Sequence, residues 1–84
     1  MQFTIYSKDN CPNCEKAKAL LMGAGHMPEI KKLGEDISRQ DFFKRFNNAK
    51  TLPQIELNGK HIGGFMQLEQ RLTQHDIAYD AVDF

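Results

Sequence analysis

The 84-residue sequence has no tryptophan, only three prolines and two cysteines, and no net charge. Each scarcity excludes something. Eleven Lys and Arg side chains balance eleven Asp and Glu, so no electrostatic excess draws the chain to nucleic acid or to an anionic membrane surface. No apolar run approaches the roughly 20 residues that span a bilayer. The opening MQFTIYSKDN lacks a basic region followed by an apolar stretch, so it reads as the first strand of the fold and not as a signal peptide. A cytoplasmic protein is the expectation, and in that compartment a disulfide is more often transient or catalytic than structural. A permanent bridge between Cys11 and Cys14 would also close a very short loop, which restricts the unfolded chain least. No repeat, low-complexity tract or linker divides the sequence. Residues 1–84 therefore form a single domain, of a size that buries about 60–65% of its unfolded surface.

What is present is a regular succession of elements. FTIY (Phe3–Tyr6) is short, apolar and β-branched or aromatic, which suits a buried strand. Cys14, Ala17, Leu20, Leu21 and Ala24 then fall at helical spacing. Pro12 fits the first helical position, where its missing N–H is not needed, and Gly23 and Gly25 supply a stop. A second strand falls within Glu29–Leu33. Ser38 followed by Asp41 reads as a helix start, and Phe42, Phe43 and Phe46 give that helix an apolar face ending near Asn47–Asn48. QIEL (Gln54–Leu57), the turn Asn58–Gly59 and KHI (Lys60–Ile62) make a hairpin, because Asn-Gly supplies the two positive φ angles of a type I′ turn. After Gly63–Gly64, the residues Phe65, Leu68 and Leu72 mark a last helix. The tail from Asp76 to Phe84 carries no clear pattern.

The order β-α-β-α-β-β-α implies an α/β fold. Its opening strand–helix–strand unit pairs in parallel, and the hairpin adds an antiparallel edge. The expected architecture is a four-stranded mixed sheet flanked by three helices.

The two cysteines admit metal binding or thiol chemistry. A zinc site normally takes four ligands at recognisable spacings. Besides Cys-x-x-Cys the chain offers only His26, His61 and His75, with no second ligand pair, so no metal site is expected. Exchange chemistry asks for less: one sulfur that ionises near neutral pH. Cys11 falls where a helix N-terminus directs its unpaired N–H groups, and Lys8 adds a cation nearby. Cys14, one turn inside the helix, is expected to be more buried and to keep its proton longer. Cys11 is then the attacking sulfur and Cys14 the resolving one. Pro12 stiffens the loop between them. A Cys-x-x-Cys between a strand and a helix of a βαβ pattern points to redox chemistry.

Three separated motifs together resemble the glutaredoxin family of the thioredoxin-like superfamily. CPNC after YSKDN is close to the family's Cys-Pro-Tyr-Cys, with Lys8 at its usual lysine position. TLPQI (Thr51–Ile55) is similar to Thr-Val-Pro-Gln-Ile, in which the proline follows a cis peptide bond, and HIGGF (His61–Phe65) matches the glycine pair before the last helix. The resemblance runs from about Phe3 to Thr73. It implies the thioredoxin-like (glutaredoxin) fold and glutathione-dependent reduction of protein disulfides and glutathione mixed disulfides by Cys11 and Cys14. Glutathione is then a co-substrate and no cofactor is bound. By position, the implied glutathione groove uses Lys8, Pro12, Gln40, the backbone of Leu52, Pro53, Gly63 and Gly64, with Gln67 at the γ-glutamyl end. Disulfide-containing proteins, ribonucleotide reductase among them, are the implied partners, and a monomer is expected.

The sequence departs from the family in two places. Where members often have a Ser/Thr-Asp pair after the glycines, it has Met66 and Gln67, and an amide carries no negative charge to pair with an ammonium group. Asn13 replaces an aromatic residue beside the site. Weaker glutathione binding would favour an alternative, a thioredoxin-like reductase recycled by a thioredoxin-reductase-type enzyme. An iron–sulfur carrier using Cys11 with glutathione is a further alternative, against which Pro12 and the second thiol both argue.

Overall fold

The computed structural model describes residues 2–47, 49 and 51–72. The expected tail, Asp76–Phe84, together with His75 and Asn48, lies outside the described residues. Six elements follow in order: β1 (Phe3–Ser7), α1 (Pro12–Gly23), β2 (Glu29–Lys32), α2 (Arg39–Arg45), β3 (Gln54–Leu57) and β4 (Lys60–Gly63). Residues 65–72 form a third helix, α3.

The strands make one sheet in the order β2-β1-β3-β4. β1 pairs in parallel with β2 and antiparallel with β3, and β3 pairs antiparallel with β4. A central strand covered on both faces explains why FTIY is a continuous apolar run without alternation. Phe3 and Ile5 face one cluster, with Ala17 and Leu21 of α1, Ile55 of β3 and Leu68 of α3. Tyr6 points to the other face, against Phe42 and Phe46, as the two-residue period of a strand requires. Thus α1 and α3 cover one side of the sheet and α2 the other. β2 is an edge strand, exposed at Glu29 and half-buried from Ile30 to Lys32, which is why its pattern is weak.

The local signals act as expected at most ends. Ser38 Oγ accepts the Asp41 N–H at 3.1 Å and caps α2. Asn58 and Gly59 take φ of 53° and 83°, the left-handed pair that turns β3 into β4. Two expectations are corrected. Helix α2 ends at Arg45, short of Asn47–Asn48, because Phe46 leaves helical geometry at φ −126° and ψ 67° and turns into the core beneath Tyr6. Phe43 is not part of the buried face: Phe42 and Phe46, four apart, share it, whereas Phe43 is 48% exposed.

An ion pair with its acid buried and its base half exposed ties α2 to the sheet. Glu56 on β3, 5% exposed, accepts the Tyr6 O–H at 3.1 Å and two Arg45 N–H groups at 2.7 and 3.1 Å. Burial, and then the negative Glu56, hold the Tyr6 phenol above its ordinary pKa. The hydrogen bond to Glu56 raises that of Arg45. Among the described residues no buried side-chain nitrogen or oxygen is left without a hydrogen-bond partner.

Candidate active site

The loop after β1 delivers Cys11 to the N-cap of α1, with Pro12 as the first helical residue. Cys11 Sγ accepts the Cys14 N–H at 3.2 Å. That amide and the positive end of α1 face the sulfur, an arrangement that favours thiolate over thiol once the pair is reduced. Cys11 and Cys14 are joined in a disulfide, their Cα atoms 5.2 Å apart. The expected contrast in burial is slight, at 8% exposure for Cys11 and 6% for Cys14. Their difference lies instead in position: Cys11 is at the mouth of the helix against a second loop, while Cys14 lies one turn inside.

That second loop carries the Leu52–Pro53 cis peptide bond. The Leu52 carbonyl oxygen lies 3.7 Å from Cys11 Sγ, so the Leu52 backbone flanks any group bonded to that sulfur. The loop is braced from behind. Gln54 donates through Nε2 to the Thr51 carbonyl at 2.9 Å, and its Oε1 meets His61 Nε2 at 2.6 Å. The Gln54 amide is thereby oriented, and His61 must donate. A Cβ on Gly64 would stand 3.3 Å from the Pro53 carbonyl oxygen, so a glycine lets β4 and the Pro53 loop pack closely.

Two surface depressions meet at Ala49 and Thr51. One, of about 190 Å³, is lined by Lys8, Arg39, Phe42, Phe43 and Leu52 among others, with no acidic side chain among the described residues. The second, of about 590 Å³, is lined by Arg45, Gln54, His61, Gly63, Gly64 and Gln67 among others. Its Gln67 Oε1 accepts the Gly64 N–H at 2.9 Å. Among the described residues its one cationic lining side chain, Arg45, is bonded to Glu56, whereas those of the first include the cations Lys8 and Arg39. A third depression, beside Cys14, also includes Lys8 and holds Asp9, Glu15 and Lys32. There Asp9 bonds Lys32 Nζ at 2.8 Å and raises its pKa.

The chain has known relatives in sequence and in fold. The sequence model of the glutaredoxin family matches residues 3–62. The chain belongs to the glutaredoxin family. It is 41% identical over 61 residues to Glutaredoxin 3 of Escherichia coli, covering 71% of this chain and 72% of that protein. It is 37% identical over 75 residues to a glutaredoxin of Neisseria meningitidis, covering 84% of each. Against Glutaredoxin-1 of Rhizophagus irregularis it is 40% identical over 63 residues, 71% of this chain and 62% of that protein. Among solved structures it superposes on Glutaredoxin 1 of Francisella tularensis with a TM-score of 0.74 at 25% identity, covering 87% of this chain and 93% of that one. Reduced E. coli glutaredoxin also superposes with a TM-score of 0.74 at 25% identity, over 88% and 95%. The fold is thioredoxin-like, and this glutaredoxin is a thiol–disulfide oxidoreductase whose Cys11 and Cys14 form the redox-active disulfide.

The positions implied for glutathione divide as follows. Lys8 and Leu52 line the first depression, and Gly63, Gly64 and Gln67 line the second. Pro12 is exposed beside Cys11, and Pro53 is buried in the loop. Gln40 is exposed on α2, but its neighbour Arg39 is the residue that lines the depression with Lys8. Arg39, Gln54 and His61 line these depressions as well, and the residue pattern did not single them out. Gln54 and His61 lie within TLPQI and HIGGF, so the motifs held them even though the role of their side chains needed the sheet register. Elsewhere, His26 packs edge-on to Phe3 at 5.0 Å between ring centroids, a core contact. No helix among the described residues is long and apolar enough to cross a membrane.

Proposed function

We propose that this glutaredoxin reduces protein disulfides and glutathione mixed disulfides with glutathione as co-substrate, Cys11 attacking and Cys14 resolving. The observation that carries the reading is the place of Cys11 Sγ, at the cap of α1 and 3.7 Å from the carbonyl oxygen of Leu52, a residue that lines the depression holding Lys8 and Arg39. The Cys11 thiolate attacks one sulfur of the substrate disulfide, and the other sulfur leaves as a thiolate. Cys14 then attacks Cys11 Sγ, which frees the bound thiol and closes the Cys11–Cys14 disulfide. Two glutathione molecules supply two electrons, restoring the dithiol and leaving as glutathione disulfide.

Charge orients the tripeptide. Its glycine end carries one carboxylate and suits the depression holding Lys8 and Arg39, where charge-assisted hydrogen bonds are the stronger kind. Its γ-glutamyl end, with a carboxylate and an ammonium, has no net charge and suits the depression of Gly64 and Gln67, where Arg45 is already bonded to Glu56. A monomer in the cytoplasm, recycled by the glutathione pool, fits this chemistry. The disulfide left in ribonucleotide reductase after turnover is one protein substrate it would serve.

The test is NADPH-linked reduction of a glutathione mixed disulfide, comparing glutathione plus its reductase with thioredoxin reductase as electron source. Turnover with glutathione is expected. Turnover with thioredoxin reductase alone would replace the electron donor and keep the dithiol chemistry.

A further inference from the structure

The depression that holds Lys8 and Arg39 carries more apolar surface than glutathione can use. Its lining also includes Leu33, Phe43, Ala49 and Leu52. Glycine, the residue after the cysteine in glutathione, offers a carboxylate to the two cations and no side chain to the apolar residues. Phe43 is the most accessible of these. It is 48% exposed, and its ring stands edge-on to the buried Phe42 at 5.3 Å between centroids. An aromatic ring already held in place loses little further freedom when a ligand covers it. Leu33 and Leu52, both half-buried, add to the surface.

Reach decides which part of a substrate meets this surface. Leu52 lines the depression, and its carbonyl oxygen is 3.7 Å from Cys11 Sγ. A chain bonded to that sulfur therefore brings a neighbouring residue, one Cα step of about 3.8 Å away, to the depression. With the glycine end of glutathione directed at Lys8 and Arg39, that neighbour is the residue following the substrate cysteine. We infer that the depression selects protein disulfides in which the attacked cysteine is followed by an apolar residue and then by an acidic one. The apolar side chain covers Phe43, and the acidic side chain meets Lys8 and Arg39. The inference takes its direction from the glutathione reading and goes beyond it, because Phe43 recognises a side chain that glutathione does not have.

Four compounds test it: acetyl-Cys-Leu-Glu-amide, acetyl-Cys-Gly-Glu-amide, acetyl-Cys-Leu-Gln-amide and glutathione. Each is joined through its sulfur to the same chromogenic aromatic thiol and mixed with the reduced full chain under single-turnover conditions. The Cys11 thiolate attacks the peptide sulfur, the peptide–aryl disulfide breaks, and the aryl thiolate leaves and is read by absorbance. Every rate is divided by that of a simple thiol attacking the same compound. The Leu-Glu peptide should exceed the Gly-Glu peptide by about fivefold, since an open depression gives leucine less than full burial. It should exceed the Leu-Gln peptide by about threefold, as a half-solvated charge pair allows. Phe43→Ala should reduce the leucine preference to below about twofold, while Phe43→Leu keeps most of it.

A wild-type leucine preference below about twofold would overturn the inference, and equal rates for the Glu and Gln peptides would overturn its acidic half. A preference unchanged in Phe43→Ala would overturn the assignment to Phe43. The glutathione reading is scored separately: it falls if glutathione transfers no faster to the protein than to the simple thiol, and it stands if glutathione is fast and the leucine preference is absent. The wild-type comparisons need no substitution, so they decide the matter even if Phe43→Ala fails to fold.

Discussion

Arg45→Ala would leave Glu56 buried at the centre of the sheet with one hydrogen bond, from Tyr6, where it now has three. Breaking a fully buried ion pair by deleting one partner costs about 3–5 kcal/mol. Here the Arg45 side chain is 49% exposed, so water enters the vacated site and screening lowers the cost. A hydrogen bond to a charged group contributes about 1.5–3 kcal/mol, and the two from Arg45 share one half-solvated guanidinium. The expected loss is therefore about 2 kcal/mol, a large part of the stability of a domain this small, about 4–13 kcal/mol. With an m-value near 1 kcal/mol/M in urea for a small protein, the unfolding midpoint should fall by about 2 M. Arg45→Lys keeps the charge and loses the fork, and should recover less than half of the loss. A midpoint change below about 0.5 M in Arg45→Ala would refute the reasoning. It would mean that Glu56 is solvated in the folded protein or that α2 is held by Phe42 and Phe46 alone.

Two further outcomes follow from the same cluster and from the glycine pair. The unfolded chain ionises Tyr6 near pH 10 while the folded protein holds the proton to higher pH, so the contribution present below about pH 10 should be lost as pH rises beyond it. Urea midpoints measured from about pH 9 to pH 11 should decline more steeply in the wild type than in Tyr6→Phe, and parallel declines would contradict the raised phenol. Gly63 has φ of 117°, and a Cβ there would stand 2.7 Å from Gln67 Cγ. Gly63→Ala should lose about 1–3 kcal/mol from backbone strain, seen as a drop of roughly 4–8 °C in Tm per kcal/mol; an unchanged Tm would mean that the turn relaxes freely.

Much of the fold was legible because its signals are local. The Asn58–Gly59 dipeptide dictates its turn, Ser38 and Asp41 cap their helix within one turn, and Pro12 next to Cys11 marks where α1 begins. The dithiol was legible for the same reason, since both sulfurs and the capping amide lie within four residues. What escaped depends on pairs far apart in the chain. Tyr6 and Glu56 are 50 positions apart and Arg45 and Glu56 are 11 apart. In QIEL, Glu56 reads as the solvent side of an alternating strand until α2 is known to cover that face. Arg39, beside the Gln40 that the family resemblance implies, lines the depression with Lys8, and since one residue on a helix is a rotation of about 100°, which side chain does so is a detail that packing decides. Phe43 misled in the same way, because three phenylalanines in five residues cannot all share one face of a helix.

The central claim is that Cys11 attacks and Cys14 resolves, and trapping the intermediate tests it most directly. Reduced Cys14→Ser is mixed with oxidised glutathione and its intact mass is measured, beside Cys11→Ser treated identically. One glutathione adduct on Cys11 in the first protein is expected, with none formed at a comparable rate in the second and no exchange activity left there. An adduct forming as fast on Cys14 in Cys11→Ser, with exchange activity retained, would contradict the account.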